Sequence, residues 1–185
     1  MRAIILAAGQ GTRLAPHTND RPKCLVELAG QSMLSRQLAV LGELGIDDIV
    51  LVGGYRSDQL AGFGHKVVRN QDFATTNMVH SLFCAREALD GSDDVLIAYS
   101  EIVYEARVLE ALLASAGAVS AGALASGGTP SSAARLRRIF RVGNAGFRSS
   151  LSALISRWAL CYSRFTHDPK APLLQPSCSC RVRRA

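Results

Sequence analysis

This sequence predicts a doubly wound α/β fold on a mainly parallel sheet, and three observations carry that prediction. Apolar, β-branched runs of strand length recur at residues 2–7, 47–52, 66–69 and 94–99. Segments with helical apolar spacing fall between them, as at Leu34, Leu38 and Leu41. Glycines close the first two runs, Gly9 and Gly11 after one and Gly53-Gly54 after the other. Strands that alternate with helices pair in parallel through crossover connections, and such sheets bind ligands at the carboxyl ends of their strands.

Taken in order, Arg2–Ala7 is the first strand and opens onto the glycine loop. Cys24–Leu28 reads as a short extended segment ended by Gly30. A helix starts at Ser32, buries Leu34, Leu38 and Leu41 on one face, and stops at Gly45. Residues 47–52 form the second long strand, residues 56–62 a short helix, and 66–69 a strand. Thr76 is placed to cap a helix running to about Leu89. Residues 94–99 form another buried strand, with Tyr99-Ser100-Glu101 at its carboxyl end. Arg107 to Ala114 completes the pattern as a helix.

After that the chain changes character. The net charge of +6 over 185 residues conceals a split: residues 1–115 hold 10 Lys+Arg against 14 Asp+Glu, whereas residues 116–185 hold 11 against one, Asp168. Residues 1–115 therefore read as a patterned α/β half-domain and 116–185 as an irregular basic C-terminal tail, which leaves the fold incomplete. Ala116 to Ser132 is nearly all Ala, Gly, Ser and Val, without helical or strand period. Arg135-Leu136-Arg137-Arg138 and Arg181-Val182-Arg183-Arg184 are basic clusters. Leu151, Leu154, Ile155 and Trp158 offer one amphipathic helix, and Pro169, Pro172 and Pro176 break up the end. Three accounts fit this tail: residues translated out of frame from a GC-rich gene, a solvated tail, or an arm for nucleic acid or an anionic surface. The abrupt loss of acids favours the first, and nucleic acid is not the expected partner.

Composition excludes several classes. An apolar content of 48% belongs to a folded domain rather than a disordered chain. No apolar run approaches the roughly 18–20 residues that span a bilayer, and no signal-peptide pattern opens the chain, so a cytoplasmic location is expected. Five cysteines, odd in number and mostly far apart, do not form a disulfide framework. Cys178-Ser179-Cys180 is too isolated a pair for zinc, which takes four ligands.

The chemistry concentrates at the first loop. Gly9 and Gly11 permit backbone angles closed to other residues and let amides approach phosphate oxygens. Arg13 adds a planar fork and Lys23 a mobile point charge, together a cradle for a polyphosphate. A tight turn with surface cations is the plain structural alternative. The loop lacks the G-x-x-x-x-G-K-[ST] spacing, and Leu14 occupies the third glycine position of a dinucleotide fingerprint.

Leu6-Ala7-Ala8-Gly9-x-Gly11-Thr12-Arg13-Leu14-x-Pro16-x-Thr18, followed by Pro22-Lys23, resembles the sugar-phosphate nucleotidyltransferase family over about residues 1–115. Cofactor guanylyltransferases share a looser version. Asn70-Gln71-Asp72-Phe73-Ala74-Thr75-Thr76-Asn77-Met78-Val79-His80-Ser81-Leu82 resembles the branch that contains phosphocholine and inositol-phosphate cytidylyltransferases. The resemblance implies a Rossmann-like fold of the nucleotide-diphospho-sugar transferase type. It also implies transfer of a nucleoside monophosphate, from CTP or UTP, to a phosphorylated sugar or alcohol, with release of pyrophosphate. Leu6, Ala7, Ala8, Gly9, Gly11, Thr12, Arg13, Lys23 and Asn70 would bind the nucleotide, with Arg13 and Lys23 catalytic, and Thr76 and Asn77 would line the base or acceptor pocket. Family members usually carry Gly-Asp where this chain has Ser100-Glu101, and that aspartate holds Mg2+. Glu101 is thus either the metal ligand or a solvated glutamate. Thr76 and Asn77 are also ordinary capping residues, and Phe73 either stacks on a ligand or fills core.

His17, His65, His80 and His167 are isolated and read as structural or solvated, His80 being the best outsider for substrate contact. A phosphate monoester, with its second pKa near 6, is a nucleophile that needs no protein base. Two further readings stand beside the enzyme: a nucleotide-binding remnant without turnover, and a nucleic-acid-binding protein acting through its tail.

Overall fold

The computed structural model describes residues 1–114 and the backbone of two strands beyond them, at 119–121 and 139–142. In chain order the strands are β1 (Arg2–Ala7), β2 (Glu27–Leu28), β3 (Gln31–Ser32), β4 (Asp48–Gly53), β5 (Lys66–Arg69), β6 (Val95–Tyr99), β7 (Val119–Ala121) and β8 (Ile139–Val142). The α-helices are α1 (Met33–Glu43), α2 (Met78–Cys84) and α3 (Ala106–Ala114). One sheet has the order β5-β4-β1-β6-β8-β7, with β5, β4, β1 and β6 parallel, and β2 and β3 form a separate hairpin.

The central strands are apolar throughout because they are covered on both faces. Successive side chains of a strand point to opposite sides, so β1 divides between two cores. Ala3, Ile5 and Ala7 meet Leu34 and Leu41 of α1 and Leu109 and Leu112 of α3. Ile4 and Leu6 meet Val50, Val52 and Ile97 in register, and Leu82 of α2. From β1 the chain builds outward through β4 to β5, then returns to the other side of β1 for β6. Strand order reverses there, so the carboxyl ends of β1, β4 and β6 frame a crevice at the topological switch point.

Several boundaries differ from the expected ones for local reasons. Residues 24–28 are not one extended segment: Cys24 and Leu25 belong to a 3-10 turn over Lys23–Leu25 that buries Cys24, and only Glu27–Leu28 are strand. The hairpin that follows turns on Ala29 and Gly30, both at positive φ (51° and 76°). Such paired left-handed residues match the twist of two-residue hairpins. Residues 57–63 wind as 3-10 rather than α. The helix expected from Thr76 to Leu89 is capped by Asn77, ends at Cys84, and is followed by a 3-10 turn at Arg86–Ala88. The helix expected from Ser32 to Gly45 forms as α1, with Ser32 as its cap, the side chain accepting from Ser35 N, and Gly45 following it at φ 69°.

The reading of 116–132 as free of strand is corrected at Val119–Ala121, where β7 pairs with β8, and β8 pairs antiparallel with β6. The signal was absent locally because β7 pairs with β8, and β8 is in turn templated by the edge of β6, far away in the chain. The basic cluster at 135–138, the amphipathic segment at 151–158, the prolines and the cluster at 181–184 lie outside the described residues, as do Cys161, Cys178, Cys180 and His167. No helix among the described residues is long and apolar enough to cross a membrane.

Candidate active site

The loop that leaves β1 is held at several points. Ala8 O accepts from Tyr55 N at 3.1 Å, and Leu14 N donates to Gly11 O at 2.8 Å. Buried Thr18 adds its hydroxyl to the same Gly11 carbonyl at 3.0 Å. The Tyr55 hydroxyl donates to Asn19 O at 2.6 Å, and Gln59 Nε2 to Asp20 O at 2.7 Å. The segment after β4 thus straps down the loop that carries Arg13 and leads into Lys23.

Gly11 and Lys23 explain one another. Gly11 sits at φ 76°, and a Cβ there would lie 2.8 Å from Lys23 Cβ and 2.9 Å from its Cγ. The lysine stem therefore crosses directly over the glycine, which is one reason its ammonium is held rather than free to roam. That ammonium lies 3.7 Å from Glu101 Oε1 at the carboxyl end of β6, both side chains being partly buried. Gly9 behaves differently from the sequence expectation: its φ is not positive, and a Cβ there would meet nothing within 4 Å. Its place is defined by open space rather than by backbone freedom.

Leu6 and Ala7 are buried in β1, Leu6 O accepting from Ser100 N at 3.1 Å, while Thr12 and Arg13 are exposed on a 3-10 turn. β1, β6 and the 3-10 turn at residues 23–25 thereby bring Gly11, Lys23 and Glu101 together. Asn70, Thr76 and Asn77 form a second group. Asn70 is fully buried and uses Nδ2 on Thr76 Oγ1 (3.0 Å) and Ser81 Oγ (2.9 Å), while its Oδ1 accepts from Asp72 N. The structure makes it the internal scaffold of the 70–77 loop. Asn77 Oδ1 accepts from Val79 N and His80 N as the cap of α2. Phe73 packs its Cβ where any side chain on Gly54 would lie, at 2.5 Å, and its ring is 6.2 Å from that of Tyr55, tilted by 59°. His80 is exposed. An open concavity of about 450 Å³ between Pro16 and Glu27 is lined by neither Gly11, Lys23 nor Glu101.

Beneath the cradle, Cys24 is 1% exposed and its thiol is pushed up to about 12 by burial, with a hydrogen bond from Ser100 pulling the other way. Ser100 is itself buried. Because the folded value lies above the unfolded one of about 8.5, the neutral thiol's contribution to stability holds below that pH and fades as pH rises. At pH 8 we expect iodoacetamide to modify partly exposed Cys84 and to spare Cys24 until the chain is unfolded. Peptide mapping checks this, and equal labelling of the two would contradict the buried placement.

Glu101 is one hard oxygen donor beside a cation-lined cradle, and no cluster of three or more metal-ligating side chains exists among the described residues. Magnesium, which is held by one or two carboxylates together with substrate phosphates and water, fits that donor set; an ion caged by protein alone does not.

Sequence reasoning missed Tyr55, Gln59 and Gln37. The first two act on carbonyls far away in the chain, and no local pattern announces such bonds. Gln37 was visible as a polar residue on the face that also carries Leu34 and Leu41. Its Nε2 donates to Tyr99 O and Ile102 O, and its Oε1 has no partner among the described residues.

A family model described as the MobA-like NTP transferase domain matches residues 3–161. The CTP:phosphoglutamine cytidylyltransferase of Campylobacter jejuni is 40% identical over 113 residues, 56% of this chain and 45% of that protein. The choline-phosphate cytidylyltransferase of Streptococcus pneumoniae is 40% identical over 96 residues, 50% of this chain and 42% of that protein. The chain thus spans less than half the length of these curated relatives. Among solved structures, the CTP:phosphocholine cytidylyltransferase from Streptococcus pneumoniae superposes with a TM-score of 0.50 at 35% identity, over 54% of this chain and 44% of that one. A nucleotidyl transferase from Methanothermobacter shares the fold over 80% of this chain and 73% of that one, with a TM-score of 0.58 at 23% identity.

Proposed function

From this chain's membership of the MobA-like NTP transferase domain family, we propose that it transfers a cytidylyl group from CTP to a phosphorylated small-molecule acceptor, with release of pyrophosphate. The observation that carries the reading is the Lys23 stem laid across Gly11, with its ammonium 3.7 Å from Glu101. CTP is favoured over UTP by the 40% identity to two relatives named for CTP or cytidylyl transfer. The acceptor is a phosphorylated alcohol of the phosphocholine kind. A nucleoside triphosphate substrate fits a cytoplasmic reaction, and the nucleotide-binding unit is assigned to residues 1–115.

In the reaction, an acceptor phosphate oxygen attacks the α-phosphorus, and the bond from that phosphorus to the bridging oxygen breaks. The pyrophosphate departs with the electron pair. The acceptor is largely dianionic at neutral pH, so no side chain has to remove a proton. The chain's task is alignment and neutralisation of charge. Amides of the Ala8–Thr12 loop approach the phosphates, with Gly9 leaving them room. Lys23 offers a charge fixed by its stem, and Arg13 a planar fork. Glu101 would hold Mg2+, which when bound neutralises charge on the triphosphate. Thr76, Asn77 and the loop that Asn70 supports are assigned to the base or acceptor side.

The test is pyrophosphate release from CTP and from UTP, each against phosphocholine and sugar phosphates, with calorimetry for nucleotide affinity. We expect release with CTP and a phosphorylated alcohol. Affinity without release would reduce the reading to a nucleotide-binding remnant, and no affinity for any ribonucleotide with divalent cation would end it.

A further inference from the structure

We propose that Gln37 is a positioning residue for this site, holding the turn of Glu101 so that its carboxylate faces Lys23. The inference rests on the nucleotidyl-transfer reading above. Gln37 lies on α1 between Leu34 and Leu41, on the face turned to the sheet, and is 0% exposed. Helical spacing reserves that place for an apolar side chain. An amide there instead gives its Nε2 to two backbone carbonyls, Tyr99 O at 2.7 Å and Ile102 O at 2.6 Å.

Those two carbonyls bracket Ser100 and Glu101. The paired register of β1 and β6 ends at Leu6 and Tyr99, and Ser100 N still reaches Leu6 O. Beyond that point the chain turns away from the sheet, and Gln37 takes hold of it from below. Lys23 Nζ meets the Glu101 carboxylate at 3.7 Å. The turn is thus held twice, at its backbone by Gln37 and at its carboxylate by Lys23. Gln37 Oε1 has no hydrogen-bond partner among the described residues, so the amide is retained at this apolar place for its donors alone. Being fully buried, it touches no substrate and acts through the backbone of the turn.

The experiment compares the full-length parent with Gln37→Met, which keeps the volume and removes the donors, and with Gln37→Glu, which keeps the length and turns the donor end into acceptors. The readouts are backbone hydrogen exchange and calorimetric CTP affinity with and without Mg2+. We expect exchange at the amides of 100–103 to quicken about tenfold while β1 and β4 stay protected. The gain in CTP affinity that Mg2+ confers should fall about 10–100-fold, the range for losing an outer partner of a metal ligand, with metal-free affinity as in the parent. In a Glu101→Gln background, Gln37→Met should add nothing further to that loss.

Unchanged exchange at 100–103, an equal fall in metal-free and metal-dependent affinity, or additive losses in the double variant would each overturn the positioning role alone. A parent with no CTP affinity overturns the proposal together with its premise. If Gln37→Met does not fold, Gln37→Glu decides by the same readouts.

Discussion

Lys23→Ala is expected to lower pyrophosphate release by about 10²–10³-fold, the loss that follows when one fixed donor is removed from a preorganised site. The magnitude follows from the way the ammonium is held. A lysine on a free stem averages over many positions, whereas this stem lies against Gly11 and its end is paired with Glu101 at 3.7 Å. Stability should change little. The pair is partly exposed, and ion pairs in such places are worth about 0–1 kcal/mol. Lys23→Met separates the two roles of the side chain, because it keeps apolar contact with Gly11 and removes the charge. We expect it to melt like the parent and to lose turnover as Lys23→Ala does. Steady-state pyrophosphate release and thermal melting check both statements. Turnover within a few-fold of the parent would refute an electrostatic role.

The second large effect is a contrast between two glycines of one loop. Gly11→Ala forces a side chain into the left-handed region at φ 76°, at about 1–2 kcal/mol. It also drives a methyl group to 2.8 Å from Lys23 Cβ, so the lysine must leave its place. We expect lower stability, at about 2–4 °C of melting temperature per kcal/mol for a chain of this size, together with loss of CTP affinity. Gly9→Ala meets neither obstacle, having an ordinary φ and open space around the added carbon. Its melting temperature should match the parent, and its CTP affinity should fall because the methyl group stands where phosphates approach the amides. Calorimetry beside thermal melting reads both. Parental affinity in Gly9→Ala would remove that glycine from the cradle.

How much of this was legible depends on the range of the forces involved. β1 and β6 were read almost to the residue because burial on both faces leaves a continuous apolar run. Ser32 and Gly45 marked the limits of α1 because caps act within one turn. The 3-10 turn at Lys23–Leu25 escaped because Cys24 is drawn inward by a core assembled from distant strands. β7 and β8 escaped because the edge of β6 templates β8 and β8 templates β7, and composition announces neither pairing. At the site, the motif indicated the loop and its cations, and Glu101 was recognisable as a carboxylate at a strand end. The crossing of Lys23 over Gly11 was not, since nothing in the spacing of residues 11 and 23 tells that one stem lies on the other. Gln37 was readable as a polar interruption of an apolar stripe, a signal that gains meaning only once the carbonyls above it are known.

The hydroxyl of Tyr55 and the amide of Gln59 hold the carbonyls of Asn19 and Asp20. Conformational entropy of that stretch is therefore lost when the chain folds and not when a ligand arrives. The heat-capacity change on nucleotide capture should then reflect only the surface that the nucleotide itself covers, without the large negative component that accompanies coupled ordering of a segment.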